Sequence, residues 1–290
     1  MKEDELKNKI GISSGTLAGL SLPFERKLLL MENAGFRTIE LCHGEDTNYL
    51  KRSEVKKIKD ILSKEKIIIR AIHAPCQYQL SSLSKGEQKK AIDEIRGTFD
   101  AAVELGAKIV VFHPHEGSEW VTRLELEEEA RITMLKKGIS MLLKYIPSGI
   151  NLALENGDSL KMMKEVFTEF PKESLGFCFD SAHAAHTEIT GVPLCKFLEK
   201  FGERLIHTHI SDMNIKGQDH ILPFEGVIAW EEVMGMLSRI AYKSLLLLEL
   251  NISSSSYIPS PEIYLAEAWH RGRKLVELQK RIEENIFSQF

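Results

Sequence analysis

The chain lacks the features that send a protein across or into a membrane. None of its 290 residues lie in an apolar run near the roughly 18 residues needed to span a bilayer. The amino terminus, MKEDELKNKI, mixes acids and bases with no apolar stretch behind it, so neither a secretory signal nor a transit peptide is expected. Cysteine is scarce: Cys42, Cys76, Cys178 and Cys195 are far apart with no C-x-x-C pair, which reads as reduced thiols in a cytoplasmic protein. An excess of one charge is missing too. Lys+Arg 38 against Asp+Glu 42 leaves −4, which gives no reason to expect a nucleic-acid or membrane-surface partner. No linker, low-complexity tract or sequence repeat divides the chain, so 1–290 is expected to form a single domain.

What the chain does have is a rhythm. Short runs rich in Ile, Val, Leu and Phe occupy residues 9–13, 37–41, 67–73, 108–113, 150–155, 175–180, 205–211 and 245–250. Between them, apolar residues at helical spacing predict helices over 24–34, 52–64, 86–105, 122–145, 159–170, 191–201, 230–240 and 261–284. Ser159 stands where an N-cap belongs, Ser260-Pro261-Glu262 reads as a cap followed by a first-turn proline and acid, and Gly35 and Gly106 follow last turns. Strand and helix alternating eight times predict an α/β fold. The parallel sheet closes into one (β/α)8 TIM barrel, because parallel neighbours need crossover helices. A doubly wound open sheet is the alternative. The longest connections, 74–85, 114–121, 212–229 and 251–260, all follow strand C-termini, the face on which such barrels do chemistry.

Most of these runs end in side chains that a packed core would avoid. LIHTHISD at 205–212 carries two imidazoles and a carboxylate; AIHAP, VVFHPH, LALEN, FCFDSAH and LLLLELN end runs in the same way. Strand alternation puts Glu249 on a face with Leu247 and Leu245, Glu155 with Ala153 and Asn151, and Asp180 with Cys178 and Gly176, while Phe177 and Phe179 face the helices. By this reading His73, His113, Glu155, Asp180, His209 and Glu249 come from six strands and converge at one barrel mouth. A single strand-end His or Asp is usually structural, or caps a helix. Six at equivalent positions point to a shared site. Three carboxylates placed together raise one another's pKa unless a cation neutralises them. Imidazole with carboxylate suits Zn²⁺ or Mn²⁺ better than Ca²⁺.

Other candidates are more open. His183, three residues after Asp180, is placed either to meet substrate or a further ion, or simply to start a helix. His207 shares the face of His209 one layer deeper and reads as a supporting or core histidine. Glu40 points inward from the second strand as a supporting carboxylate, and His220 in GQDHILPFEG is a loop histidine, either solvated or part of the site. His43, His115 and His186 read as structural or exposed, and Cys76 is given no role.

At these residues the chain resembles the xylose isomerase-like TIM-barrel superfamily. HAP, HP, EN, DxxH, HxxD and a final Glu occur in order, from Gly11 to Glu249, over essentially the whole chain. The superfamily holds sugar and sugar-phosphate isomerases and epimerases together with endonuclease IV-type DNA-repair enzymes. The resemblance implies that Glu155, Asp180, His209 and Glu249 match the four ligands of the single divalent ion in the epimerase-like members. The endonuclease-like members hold three zinc ions and use in addition positions matched by His73, His113, His183 and a D-x-H pair. Here that pair reads Gln218-Asp219-His220, so one ligand of a trinuclear cluster is missing, while His73, His113 and Glu155 remain for a second ion.

Duplex recognition takes several Lys/Arg contacts from the rim loops. Residues 74–85 offer only Lys85, 212–229 only Lys216, and 251–260 none. The expectation is therefore a metal-dependent isomerase or epimerase of a small sugar or sugar phosphate, with zinc or manganese as cofactor. A zinc-dependent phosphodiesterase is the alternative, and a binding protein without chemistry is opposed by the intact Glu155 and Glu249. In the first reading Glu155 and Glu249 are ligands that also exchange protons, and Asp180 and His209 are ligands only. His183 and His220 hold substrate oxygens, and a phosphate would meet Lys216 and the run 253–256. No nucleic acid or membrane is expected as a partner; a homo-oligomer is compatible with the sequence.

Overall fold

The computed structural model describes residues 6–44, 47–114, 124–157, 159–186, 192–255 and 260–287. Eight parallel strands, β1 (Ile10–Ser13), β2 (Thr38–Cys42), β3 (Ile68–His73), β4 (Ile109–Phe112), β5 (Asn151–Glu155), β6 (Gly176–Asp180), β7 (Leu205–Ile210) and β8 (Leu246–Leu248), pair in order, and β8 returns to β1 to close a barrel. Nine α-helices accompany them among the described residues: α1 (Phe24–Ala34), α2 (Arg52–Leu62), α3 (Lys85–Leu105), α4 (Leu124–Leu142), α5 (Leu160–Glu169), α6 (Ser181–Ala185), α7 (Cys195–Phe201), α8 (Trp230–Arg239) and α9 (Pro261–Phe287). No helix among the described residues is long and apolar enough to cross a membrane.

The helix ends follow local chemistry. The Ser159 hydroxyl accepts the Met162 N–H at 3.0 Å and opens α5, and the Ser260 hydroxyl accepts the Ile263 N–H at 3.3 Å and opens α9. Gly35 and Gly106 end α1 and α3 in the left-handed region, at φ 116° and 79°. The helix expected from residue 191 starts only at Cys195. The one-turn helix α6 is the helix start offered for His183, and Asp180 caps it.

Alternation along the strands splits the buried residues into two sets. Leu152, Leu154, Phe177 and Phe179 join the large core between sheet and helices, while Ala71, Ile109, Val111, Ala153 and Cys178 form a separate cluster inside the barrel. An eight-stranded barrel is just wide enough for its interior to be filled by side chains, so the lumen takes small or slender ones. A register shift between Phe177 and Cys178 leaves Ile206 as an extra residue on β7. That bulge turns Ile206 towards the lumen cluster, over Gly176, where any Cβ would meet the Ile206 Cδ1 at 2.3 Å. Two strands stop earlier than the apolar pattern suggests, β4 at Phe112 and β8 at Leu248, so His113 and Glu249 stand one residue past the ladder. At the mouth the chain leaves the sheet for its loops; the Glu249 N–H still donates to the Ile210 carbonyl at 3.2 Å.

Candidate metal centre at the barrel mouth

Glu155, the last residue of β5, is fully buried at the centre of the mouth. Its Oε2 lies 2.9 Å from His113 Nε2, 3.4 Å from His73 Nε2 and 3.0 Å from His209 Nδ1. Its Oε1 lies 3.1 Å from His183 Nδ1. Glu249 reaches the same His209 nitrogen, with Oε2 at 3.0 Å, and stands 3.7 Å from His220 Nε2. Asp180 does two things at once. Its Oδ1 accepts the His183 N–H at 2.6 Å, as an N-cap does, and its Oδ2 has no hydrogen-bond partner among the described residues.

A layer beneath holds these groups in place. Glu40 on β2 accepts from His207 Nε2 at 3.0 Å and from His209 Nε2 at 3.2 Å. Burial works against its charge, but His209 and His207 outweigh it and hold the carboxyl at about 2, so it is an ionised acceptor. His209 thus donates from Nε2 and turns its Nδ1 edge to the mouth; a carboxylate behind a ligand imidazole orients the ring in this way. Burial opposes the charge of His209, but Glu249, Glu40 and Glu155 hold its pKa well above the ordinary imidazole value, so a cation would displace the Nδ1 proton. Burial lowers the pKa of His207 despite Glu40 beside it, so that ring stays neutral. His73 donates its Nδ1–H to the Ala74 carbonyl at 2.8 Å and leaves Nε2 for the cluster.

Asn156 clips β5 to β6, accepting the Asp180 N–H at 2.7 Å and donating to the Asp180 carbonyl at 3.0 Å. Asp212, fully buried after β7, anchors the long loop that carries His220. Its two oxygens accept the N–H groups of Met213, Phe224 and Ile228 and the Trp230 indole N–H, at 2.9 to 3.1 Å. Both roles escape a sequence reading, because neither motif position says which distant backbone it will meet.

Electrostatics account for the need for a cation. Burial raises the Asp180 pKa, and His183 only partly offsets it while Glu155 and Glu249 add to it. Burial also opposes charge on Glu155, but His113 and His209 hold it well below the ordinary carboxylate range. Against the same burial, Asp180 and Glu155 lift His183 to about 9, and Asp219 and Glu249 lift His220 to about 11. The carboxylates are thus neutralised by protons on imidazoles, and protons in such a place are what a divalent ion displaces.

The donor set fits that ion. Glu155 Oε1, Asp180 Oδ2 and His209 Nδ1 are all buried without a hydrogen-bond partner among the described residues, although two of them have an opposite heteroatom within about 3.1 Å. Ligands of a tetrahedral ion with bonds of about 2.0 to 2.1 Å stand roughly 3.3 Å apart, near the 3.0 Å from His209 Nδ1 to Glu155 and to Glu249, and Asp180 offers its unpartnered Oδ2. Three carboxylates and one imidazole suit Zn²⁺ or Mn²⁺.

The remaining candidates divide. His73, His113, His183 and His220 all touch the cluster as given above, whereas Lys216 is exposed on the turn from Asn214 to Gln218, its N–H bonded to the Asn214 side chain. Gln218 accepts from Asn214 at 3.0 Å in the same turn. Next to it Asp219 sits 3.0 Å from His220 Nδ1 and 3.5 Å from His186 Nε2, so a carboxylate does back this histidine, one position along from the expected one. Cys76, passed over in the sequence, lies 3.8 Å from His73 Nδ1. Burial raises its pKa, but His113 and His73 bring it down to about 6. His115 and Ser256 lie outside the described residues.

The profile of the xylose isomerase-like TIM barrel matches residues 28–272. The chain belongs to that family. A protein of Methanocaldococcus jannaschii, MJ1311, is 26% identical over 289 residues, 96% of this chain and 95% of that one. Among solved structures, a D-tagatose 3-epimerase-like protein superposes with a TM-score of 0.76 at 22% identity, over 96% of this chain and 99% of that one. The IolI protein, solved with a bound zinc atom, superposes with a TM-score of 0.71 at 18% identity, over 94% and 99%. At these identities the likenesses speak for the fold.

Proposed function

We propose that the protein is a divalent-metal-dependent isomerase or epimerase of a small sugar or sugar phosphate, moving a proton at a carbon beside a carbonyl by way of an enediolate. The observation that carries this reading is the pair Glu155 and Glu249, each 3.0 Å from Nδ1 of His209. The epimerase-like protein of the same fold supports the substrate class, and the zinc atom in IolI supports the cofactor class.

Glu155, Asp180, His209 and Glu249 would hold the ion, zinc or manganese. When bound, it supplies Lewis-acid polarisation of neighbouring carbonyl and hydroxyl oxygens and stabilises the negative charge that proton removal creates. Glu155 and Glu249 arrive from β5 and from just past β8, so one would take the proton and the other return it. Return to the same carbon inverts it; return to its neighbour moves the carbonyl. His183 and His220, with ring nitrogens facing these carboxylates, would hold substrate oxygens. Lys216 and Ser253–Ser255 are the described places for a substrate phosphate, on loops after the last two strands.

A second reading, a zinc-dependent phosphodiesterase, is favoured by one feature: His73 and His113 both face the oxygen of Glu155 that also faces His209. Incubating metal-loaded protein in D₂O with a panel of ketoses and their phosphates decides between them. The proposal expects one substrate C–H to exchange with solvent. No exchange in any member of the panel, with hydrolysis of a phosphodiester, would hand the site to the second reading.

A further inference from the structure

We infer that Cys76 is a metal ligand, completing with His73, His113 and Glu155 a second, sulfur-containing divalent-cation site that takes zinc in preference to manganese. The inference rests on the proposed reading of the mouth as a metal centre and adds to it a donor and a selectivity. It starts from position. Cys76 follows β3 by three residues, past Pro75, and its Sγ lies 3.8 Å from His73 Nδ1 and 3.5 Å from the Ala74 carbonyl. One ligand atom each from His73, Cys76 and His113 lies within 4.8 Å of the others. His73 Nε2 and His113 Nε2 are 3.2 Å apart, and Oε2 of Glu155 is 3.4 Å and 2.9 Å from them. Ligands of tetrahedral zinc with a thiolate stand about 3.6 Å apart. The nitrogens and the carboxylate are already that close, and the sulfur is the one donor that must swing in, from beside Nδ1 of His73, which donates to the Ala74 carbonyl, towards the Nε2 side that faces His113 and Glu155.

The other thiols are placed differently. Cys178, packed in the barrel lumen, has its ligand atom within 4.8 Å of Glu155 and His209 and so abuts the oxygen-rich set, Cys42 shares a 3.1 Å hydrogen bond with the Ser13 hydroxyl, and Cys195 is on α7, on the outside of the barrel. Two imidazoles, a thiolate and a carboxylate form a four-donor set soft enough for zinc, whereas manganese favours oxygen. The oxygen-rich set of Glu155, Asp180, His209 and Glu249 has no such bias. Because Glu155 serves both sets, zinc in the second site competes for the carboxylate assigned to proton transfer.

The test uses cobalt as a coloured stand-in for zinc, on full-length protein stripped of metal with a chelator. Titration should end near two ions per chain. The near-ultraviolet thiolate-to-cobalt charge-transfer band should grow with only one of the two equivalents. Cys76→Ser should lose the band and about one equivalent while retaining the other, and manganese should bind to only about one equivalent in either protein. A band that persists in C76S would place the thiolate on another cysteine and overturn the assignment. One cobalt with no band in the wild type would overturn it while leaving the four-ligand centre standing; no cobalt at all would overturn both. Should C76S fail to fold, alkylation of the wild type settles the point. Zinc should protect Cys76 from iodoacetamide, read by peptide mass, and manganese should not. Equal labelling of Cys76 with and without zinc would defeat the inference.

Discussion

The two halves of the barrel mouth are made from different chemistry. From β5 to the residue after β8 the donors are Glu155, Asp180, His209 and Glu249, backed by Glu40 and Asn156, and the Glu155 and His209 side chains have no exposure at all. From β3 to the residue after β4 they are His73, His113 and Cys76, and the His113 side chain is 18% exposed. The first half is oxygen-rich and supported from below, which suits a resident ion and a confined proton. The second is softer, and it is joined to the first through one carboxylate. A shared Glu155 means that whatever loads one half is felt in the other.

The comparison can be broken hardest at the oxygen-rich half. Glu249→Gln should lower exchange of the substrate C–H by about 10³-fold, read by NMR in D₂O, with an unchanged unfolding midpoint. Full activity would remove Glu249 from proton transfer. Asp212→Ala touches neither half directly but releases four donors from a buried carboxylate. It should cost about 3 kcal/mol in denaturant unfolding, and a loss under about 1 kcal/mol would deny it the role of loop anchor.

Glu40→Gln keeps the shape but removes the charge behind His209, so calorimetric titration should find binding at the four-ligand site weaker by about 10- to 100-fold. Equal weakening of cobalt at the Cys76 half would show that the halves are not separately supported. The smallest effect belongs to Lys216→Ala, on the exposed turn, which should leave stability within about 0.5 kcal/mol. A rise in KM confined to phosphorylated ketoses would assign it to phosphate; the same KM for all would free it of any substrate role.

Much of this was legible before any coordinates. The strands could be read because a two-residue period sorts side chains between lumen and helices, and Ala153, Cys178, Phe177 and Phe179 fall on the sides that period assigns. The gathering of Glu155, Asp180 and His209 follows from the same period together with barrel closure. The Ile206 bulge was not legible, since LIHTHI reads as unbroken alternation and the extra residue is defined only against β6. The contact of Asp219 with His220 was not legible either, since it is made only by the folded turn.

The sequence by itself determined the barrel and the ring of ionisable groups at its mouth, because both follow from periodicity and from where each apolar run stops. The tertiary structure alone decided how those groups pair. Glu40 beneath His209, Asn156 across to β6 and Cys76 beside His73 depend on register and on loop paths between distant segments. A hydrogen bond or a ligand contact is set by a few tenths of an ångström in space, and nothing local in the chain encodes that distance.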